Sequence, residues 1–285
     1  MEMLAESVQV LVIDDLVALW VDVAMFAVAF LSALCALFAY RHQRNRSKKD
    51  AACKLAAQYA DDILEKYGFV GNVYYNTGLD EYVKHTINFN DIFNFDNAEL
   101  DALLKGKVER EQFDKKMADI DPEKILLCRI LRSHSQADRD RISEDYVKVD
   151  EEGSPTLYNA SLLLKDFFQE QVELLNQLEH FSMSCRYGLS DEKILYQSLH
   201  KTFLAMVWML YPAISSRNIS EEDKTYTNVI WLFLKWRKRL VRIKAKAERK
   251  KRYHERRAAR AMVKVASEQA KAEKVKAEVY SGKRV

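Results

Sequence analysis

The sequence predicts an all-α protein with one N-terminal transmembrane helix, a cytoplasmic helical bundle and a basic C-terminal helix. Three observations favour this fold class: scarce turn residues, one long apolar run, and a strong segregation of charge. The 285 residues include only 7 Gly and 3 Pro, so the turns that a β-rich fold requires are difficult to place. Apolar residues also recur at spacings of three and four, which is typical of amphipathic helices.

The apolar run extends from Leu16 to Tyr40 and contains one charged residue, Asp22. A helix of this length covers about 37 Å, which is enough to cross a hydrocarbon core of about 30 Å. The four charged side chains before the run are all acidic, whereas five basic residues lie between Arg41 and Lys49. The positive-inside rule therefore predicts a single-pass protein of the cell (inner) membrane, with its N-terminus outside. The acidic N-terminus argues against a cleaved signal peptide, which begins with basic residues.

Two features of the predicted span could serve more than anchoring. Asp22 is an ionisable residue inside an apolar segment, which by default suggests a function, although its position near the outer edge lets it reach the head groups. Small residues at four-residue spacing permit close contact between helices. They are Ala29 and Ala33, together with Ser32 and Ala36. These pairs predict that the span can self-associate into a homo-oligomer.

The charge distribution divides the chain into five segments. We expect a short extracytoplasmic N-terminus at 1–15, the transmembrane helix at 16–40 and a basic juxtamembrane segment at 41–49. A cytoplasmic helical domain at 50–245 and a basic tail at 246–285, helical or disordered, would follow. The net charge of the whole chain is +3, yet residues 50–234 carry −12 and residues 235–285 carry +15.

Start and stop signals predict the helices of the cytoplasmic domain. Asp121-Pro122 begins a helix that runs to about Ser133, and Ser154-Pro155 begins a long helix over about 156–187. Gly188 ends that helix, and an antiparallel return helix follows at 191–216, interrupted near Pro212.

Three further signals concern the two ends of that domain. Gly68, Gly71 and Gly78 predict a loop, because glycine is unfavourable inside helices. Ser220 with the acids after it is the N-cap of the last helix. That helix is expected to pack on the body through Val229, Phe233, Trp236, Leu240, Ile243 and Ala247.

The basic tail has the composition of a polyanion-binding segment. From Lys235 to Lys264 there are fifteen Lys or Arg residues against two Glu, interleaved with Trp231, Trp236, Tyr253 and His254. In an anchored protein the nearest polyanion is the anionic leaflet, while RNA or a ribosome is the alternative partner. A third possibility is a helix that docks on the protein's own acidic body or is merely solvated. The candidate polyanion-binding residues are Arg237, Lys238, Arg239, Arg242, Arg249, Lys250, Lys251, Arg252, Arg256, Arg257 and Arg260.

The sequence contains no motif that indicates an enzyme. P-loop, dinucleotide-binding and HExxH motifs do not occur in it, so we expect no catalysis, no cofactor and no metal. The four scattered cysteines are expected to be reduced thiols. The polar candidates on the predicted hairpin are Asn176, Glu179, His180 and Arg217. A Glu179–His180 pair, approached by His200, could transfer protons, although such residues more often satisfy one another between helices.

Scattered positions in the hairpin region resemble a bacterial domain family of unknown function. They are Leu174-Leu175-Asn176, Glu179, Gly188, Asp191, Ile194, Tyr211-Pro212, Arg217, Tyr226 and Trp236. Members of that family look like small proteins with one N-terminal membrane span and a helical cytoplasmic body. The resemblance covers about residues 160–240 and implies no particular activity, although some similar anchored helical proteins act in phage defence.

These features together predict a membrane-tethered interaction or effector protein. Its helical domain would bind a protein partner, and its basic tail would bind anionic lipid. Two alternatives remain open: an adaptor that brings RNA or ribosomes to the membrane, and an oligomerising effector that permeabilises the bilayer in phage defence.

Overall fold

A computed structural model describes residues 2–133, 135–149, 155–218 and 224–280, without the side chains of residues 2–24, Ala27 and Pro155. Helices make up nearly all of this part of the chain, which confirms the predicted all-α class. The exception is a two-stranded antiparallel sheet in which Val147 lies opposite Leu157.

The elements follow one another along the chain with short connections. They are α1 (Glu2–Gln58), a π-helical turn (Tyr59–Ile63), α2 (Leu64–Asn76), α3 (Leu79–Thr86), a 3-10 turn (Phe89–Asp91), α4 (Asn97–Leu104), α5 (Arg110–Ala118), α6 (Pro122–Arg132), α7 (Gln136–Tyr146), β1 (Val147–Val149), β2 (Pro155–Leu157), α8 (Ala160–Arg186), α9 (Glu192–Met209), α10 (Tyr211–Arg217) and α11 (Thr227–Tyr280).

The core lies around the hairpin of α8 and α9, against which α1 and α11 pack. Trp236 of α11 is fully buried, and its ring centroid lies 5.0 Å from that of Phe203 on α9 and 6.2 Å from that of Phe181 on α8. Tyr59 reaches the same cluster, with its ring centroid 4.9 Å from that of Phe181. These aromatic rings join α8, α9 and α11 to the π-helical turn that continues α1, and each ring buries a large apolar area.

Several predicted helix ends are confirmed. The Asp121 side chain accepts a hydrogen bond from the backbone N–H of Glu123, so α6 begins at Pro122 as expected. Gly188 follows the end of α8 with a φ of 66°, a left-handed conformation that glycine adopts without steric cost. Pro212 lies in the first turn of α10 and separates that helix from α9.

Two predicted boundaries are wrong. Pro155 does not begin the long helix, because it pairs with Val149 in the small sheet and α8 starts only at Ala160. Gly68 and Gly71 lie inside α2 and not in a loop. Burial of the apolar face of α2 offsets the loss of helix stability that each glycine causes, about 1 kcal/mol. Ser154 and Ser220, the two predicted N-caps, lie outside the described residues.

α11 extends well beyond the body. Val229, Phe233 and Trp236 are buried and Leu240 is half-buried, but Ile243 is 49% exposed and Ala247 is also exposed. The prediction that the last two residues pack on the body is therefore wrong. The segment from Val241 to Tyr280 is helical and, at 1.5 Å per residue, about 60 Å long.

In the part of the chain that was described, no helix combines the length and the apolar character needed to cross a membrane. The span predicted for Leu16–Tyr40 belongs to α1. The side chains of Leu16–Ala24, which include Asp22, and that of Ala27 lie outside the described residues.

Candidate functional site

The two longest helices meet the body at the turn between α8 and α9. On one side of this turn, the backbone N–H of Asp191 donates a hydrogen bond to the carbonyl oxygen of Lys48 on α1, at 3.1 Å. On the other side, Glu192 forms an ion pair with Arg239 on α11, at 3.5 Å. We call the turn from Gly188 to Glu192, together with Lys48 and Arg239, the root end of the body.

Local sequence explains why the root end has this shape. The left-handed Gly188 reverses the chain, and a Cβ atom built there would lie 3.5 Å from the ammonium nitrogen of Lys48. The Asp191 carboxylate accepts a hydrogen bond from the backbone N–H of Lys193 at 3.0 Å and so caps α9. The turn therefore has a fixed geometry against which α1 passes closely.

Glu192 fixes α11 at the position where this helix leaves the body. Its carboxylate accepts a hydrogen bond from Nε1 of Trp236 at 2.7 Å and pairs with Lys235 at 3.1 Å. The side chain of Glu192 is only 16% exposed, which strengthens these charge-assisted contacts. The guanidinium of Arg239 lies 3.9 Å from the ring centroid of Tyr196, which adds a cation–π contact.

The pairs of contacting residues show that α1 and α11 extend past the same end of the body. On α8, Phe181 contacts Tyr59 and Gly188 lies beside Lys48, so α1 runs antiparallel to α8 and its earlier residues lie beyond the turn. On α9, Phe203 contacts Trp236 and Glu192 contacts Arg239. The later residues of α11 consequently lie beyond the turn as well.

The outer part of α1 presents apolar side chains to its surroundings. Phe26, Phe30 and Phe38 are 75%, 57% and 66% exposed. The small residues proposed for helix contact, Ala29, Ala33, Ser32 and Ala36, are exposed too. The Ser32 hydroxyl donates a hydrogen bond to the carbonyl of Val28 at 2.8 Å, so its polar group is satisfied within its own helix.

The segment from Arg242 to Lys264, which we call the basic arm, carries uncompensated positive charge. It contains eleven Lys or Arg residues against two Glu. From Val241 to Tyr280 every side chain except that of Ala245 is exposed. An ion pair within the arm joins Lys251 to Glu255 at 3.9 Å. The structure therefore favours the solvated helix over docking on the acidic body. Nine of the predicted polyanion-binding residues are exposed: Lys238, Arg242, Arg249, Lys250, Lys251, Arg252, Arg256, Arg257 and Arg260.

The predicted polyanion-binding role of Arg237 is wrong, because Arg237 is buried. Its guanidinium donates hydrogen bonds to the carbonyl oxygens of Ile92, at 2.9 Å, and Asn90. It also lies 4.9 Å from the ring centroid of Phe93. Burial lowers the pKa of this guanidinium from its usual value. Arg239 is only partly available, since it is already paired with Glu192.

Two of the aromatic residues interleaved with the basic run belong to the body. Trp236 is fully buried. Trp231 is half-buried, and the ammonium of Lys235 lies 4.6 Å from its ring centroid. Tyr253, by contrast, is 62% exposed.

Glu179 has a structural position at the start of α11. Its carboxylate accepts hydrogen bonds from the backbone N–H groups of Asn228 and Val229, at 3.1 and 2.9 Å, and from the Asn228 side chain at 2.6 Å. These are donors that a helix N-terminus leaves without intrahelical partners. Glu179 therefore caps α11 from a neighbouring helix, a contact that no local sequence motif signals.

The other polar hairpin candidates do not assemble into one site. Arg217 donates a hydrogen bond to the Tyr226 hydroxyl at 3.0 Å, whereas Asn176 and His180 are exposed. Nδ1 of His200 lies 2.6 Å from the carbonyl oxygen of Tyr196, and its ring stacks on the Tyr196 ring. The contacts of Glu179 and His200 thus assign both residues to helix packing.

The cysteines differ in exposure. Cys35 and Cys53 are exposed, while Cys128 and Cys185 are buried. Burial raises the pKa of the Cys185 thiol to about 12 and raises that of Cys128. Over the residues that the structure covers, no three His, Cys, Asp or Glu side chains are grouped so as to bind a metal ion.

Comparison of the chain with protein-family models, with curated proteins and with solved structures finds no match. The resemblance noted at the hairpin stays a prediction. Three of its positions have clear structural roles here: Gly188 reverses the chain, Pro212 lies in the first turn of α10 and Trp236 fills the core.

Proposed function

We propose that this chain is a membrane-tethered protein in which residues 16–40 cross the bilayer and the basic arm binds anionic head groups. The body and the arm would lie on the cytoplasmic side. The observation that carries this proposal is the root end, because Lys48 of α1 and Arg239 of α11 flank the same turn. A span on α1 would bring the start of the arm close to the same membrane.

The surface of α1 supports the anchoring part of the proposal. Large exposed apolar groups such as Phe26 and Phe38 are typical of surfaces that contact lipid or another protein. If residues 16–40 cross the bilayer, the exposed basic residues between Arg41 and Lys49 would lie where a polybasic segment meets anionic head groups.

The charge of the arm supports the lipid-binding part. A basic residue close to an anionic leaflet contributes about 1 kcal/mol, and this attraction decreases within a Debye length of about 8–10 Å. The arm has few bulky apolar side chains besides Met262 and Val263. It is therefore suited to electrostatic binding at the surface and not to deep insertion.

The positions of Trp231 and Trp236 favour lipid over RNA. Single-stranded nucleic acid is usually held by aromatic side chains on which bases stack, in addition to basic residues. Trp236 is buried in the core and Trp231 is half-buried beneath Lys235, which leaves Tyr253 and His254 as the exposed rings among the described side chains of the arm. Of the hairpin candidates for a protein partner, Asn176 and His180 are accessible.

Hydrogen–deuterium exchange on the full chain in nanodiscs tests lipid binding. Discs of phosphatidylcholine are compared with discs that also contain phosphatidylglycerol. We expect slower amide exchange over 242–264 in the anionic discs, and loss of this protection at high salt. A variant with Arg249→Gln, Lys250→Gln, Lys251→Gln and Arg252→Gln should lose it. The control, Lys271→Gln, Lys274→Gln and Lys276→Gln, neutralises three basic residues in a stretch where Glu268, Glu273 and Glu278 already balance the charge.

Two outcomes would contradict the proposal. Equal exchange in neutral and anionic discs would exclude lipid binding by the arm. Protection by added RNA in neutral discs, without protection by anionic lipid, would favour the adaptor alternative. Anchoring is tested separately, since release of the chain from cell membranes by alkaline carbonate would show that α1 does not cross the bilayer.

A further inference from the structure

The turn between α8 and α9 presents two large apolar side chains to its surroundings. Tyr187 is 66% exposed and Leu189 is 60% exposed, and they flank the left-handed Gly188. All three residues lie at the root end, past which both α1 and α11 extend. We call these three residues the apolar tip.

The fold of the turn does not account for the apolar side chains of the tip. The N–H of Leu189 donates a hydrogen bond to the carbonyl oxygen of Ser184 at 3.1 Å, a bond that belongs to the Schellman motif. In this motif the residue after the glycine frequently packs on its own helix, yet Leu189 stays mostly exposed. The turn depends on Gly188 and on backbone hydrogen bonds, so it does not require large apolar residues on either side of the glycine.

The surroundings of the tip are positively charged. Nζ of Lys48 lies 3.5 Å from a Cβ atom built on the glycine. The stretches 46–50 and 186–193, which meet here, contain five Lys or Arg residues against three acids. Two of these acids are engaged within the protein, since Asp191 caps α9 and Glu192 pairs with two cations of α11. An apolar end with basic surroundings complements the surface of an anionic bilayer.

The tip lies at a level that the head groups can reach if residues 16–40 cross the bilayer. Lys48 is eight residues beyond Tyr40, or about 12 Å along α1. Helical side chains incline toward the N-terminus of their helix, so the Lys48 ammonium and the glycine beside it lie on the bilayer side of the Lys48 backbone. The apolar run is also longer than the about 20 residues that a span needs, which lets α1 tilt and bring the body closer to the surface.

We propose that the apolar tip inserts into the head-group layer of an anionic membrane. Tyr187 and Leu189 would lie at the boundary with the acyl chains, and Lys48 would lie among the phosphates. Tyrosine is enriched at this level, because its ring is apolar and its hydroxyl is polar. Insertion of the tip rests on the proposed span of α1, and it adds a contact through which the body itself is held and oriented on the bilayer.

Fluorescence quenching in nanodiscs tests this insertion on the full chain. Cys35 and Cys53, the exposed thiols, are replaced by Ser, and a nitrobenzoxadiazole probe is attached to Leu189→Cys. In discs that contain phosphatidylglycerol, a lipid with a spin label close to its head group should quench this probe about twofold. A probe at Phe30→Cys reports the span separately, since a spin label deep in the acyl chains should quench it.

Two matched controls lie far from the root end. Leu131 is 70% exposed, and its neighbour Arg132 pairs with Glu170, which lies about 25 Å along α8 from the tip. A probe at Leu131→Cys should therefore not be quenched. Tyr187→Asp should reduce the quenching of the probe at the tip, because a charge at this level opposes insertion. Tyr75→Asp should not reduce it, since Tyr75 is also exposed, at 70%, but lies on α2.

The outcomes separate tip insertion from anchoring. Quenching of the Phe30→Cys probe without quenching of the Leu189→Cys probe would show that α1 anchors the chain and that the tip does not insert. If neither probe is quenched, the span is wrong and tip insertion is wrong with it. Equal quenching of the Leu189→Cys and Leu131→Cys probes would also overturn the proposal, because the tip would then have no special contact with lipid.

Discussion

The carboxylate of Glu179 on α8 accepts a hydrogen bond from the backbone N–H of Val229, at 2.9 Å, and so caps α11 from a different helix. The two residues that this contact joins are 50 positions apart in the chain. It makes the first turn of α11 dependent on the position of α8.

Replacement of Glu179 should therefore destabilise the body. We expect Glu179→Ala to lower the free energy of unfolding by about 2 kcal/mol, because it leaves the N–H groups of Asn228 and Val229 without an acceptor. Urea denaturation measures this value. Asn176→Ala, at an exposed position on the same helix, should change it by less than about 0.5 kcal/mol. Similar losses in both variants would contradict the capping role.

Truncation of Arg237 should lower the free energy of unfolding much more than truncation of its neighbour Lys238. Arg237→Ala removes the donors that satisfy the carbonyls of Ile92 and Asn90 and should cost about 3 kcal/mol. Lys238 is exposed, so Lys238→Ala should cost less than about 0.5 kcal/mol. Thermal and urea unfolding of the two variants test this contrast, and equal stabilities would show that Arg237 is not a structural residue.

The thiols should differ in their reaction with N-ethylmaleimide at pH 8. A pKa of about 12 for Cys185 leaves only about one molecule in ten thousand as the reactive thiolate. We expect Cys53 to be alkylated in the native chain and Cys185 only after denaturation, as read by mass spectrometry. Rapid labelling of Cys185 under native conditions would contradict its burial in the core.

Removal of the exposed part of α11 should not affect the body. A chain that ends at Ile243 retains the buried residues Phe233 and Trp236 and the contacts of Glu192. We expect its melting temperature to lie within about 2 °C of that of the full chain. A large decrease would show that the arm packs on the body in solution.

Local chemistry in the sequence was sufficient to predict part of the fold. Gly188 and Asp121-Pro122 act through their own backbone and nearest neighbours, so their effects can be recognised without knowledge of the tertiary structure. The same does not apply to Gly68 and Gly71. Glycine predicts a loop on local grounds, but α2 remains helical because Phe69 and Val73 are buried on its other side.

The candidate site was less predictable because it depends on distant contacts. Arg237 lies within a basic run and has the sequence context of a surface residue. Its burial results from Phe89 and Phe93, which are more than 140 residues earlier in the chain. In the same way, Glu192 is recognisable in the sequence only as an acid at a helix start, and its bonds to Trp236 and Arg239 follow from packing.

The π-helical turn at Tyr59–Ile63 connects α1 to α2 without a break, and the N–H of Leu64 bonds to the carbonyl of Tyr59. Such a turn inserts one residue relative to a continuous α-helix. One residue corresponds to a rotation of about 100° around the helix axis. The turn thus sets the azimuth of the whole of α1 relative to the body. Deletion of a single residue here would rotate the outer part of α1 relative to the body. The face that carries Ala29 and Ala33 would then point in a different direction.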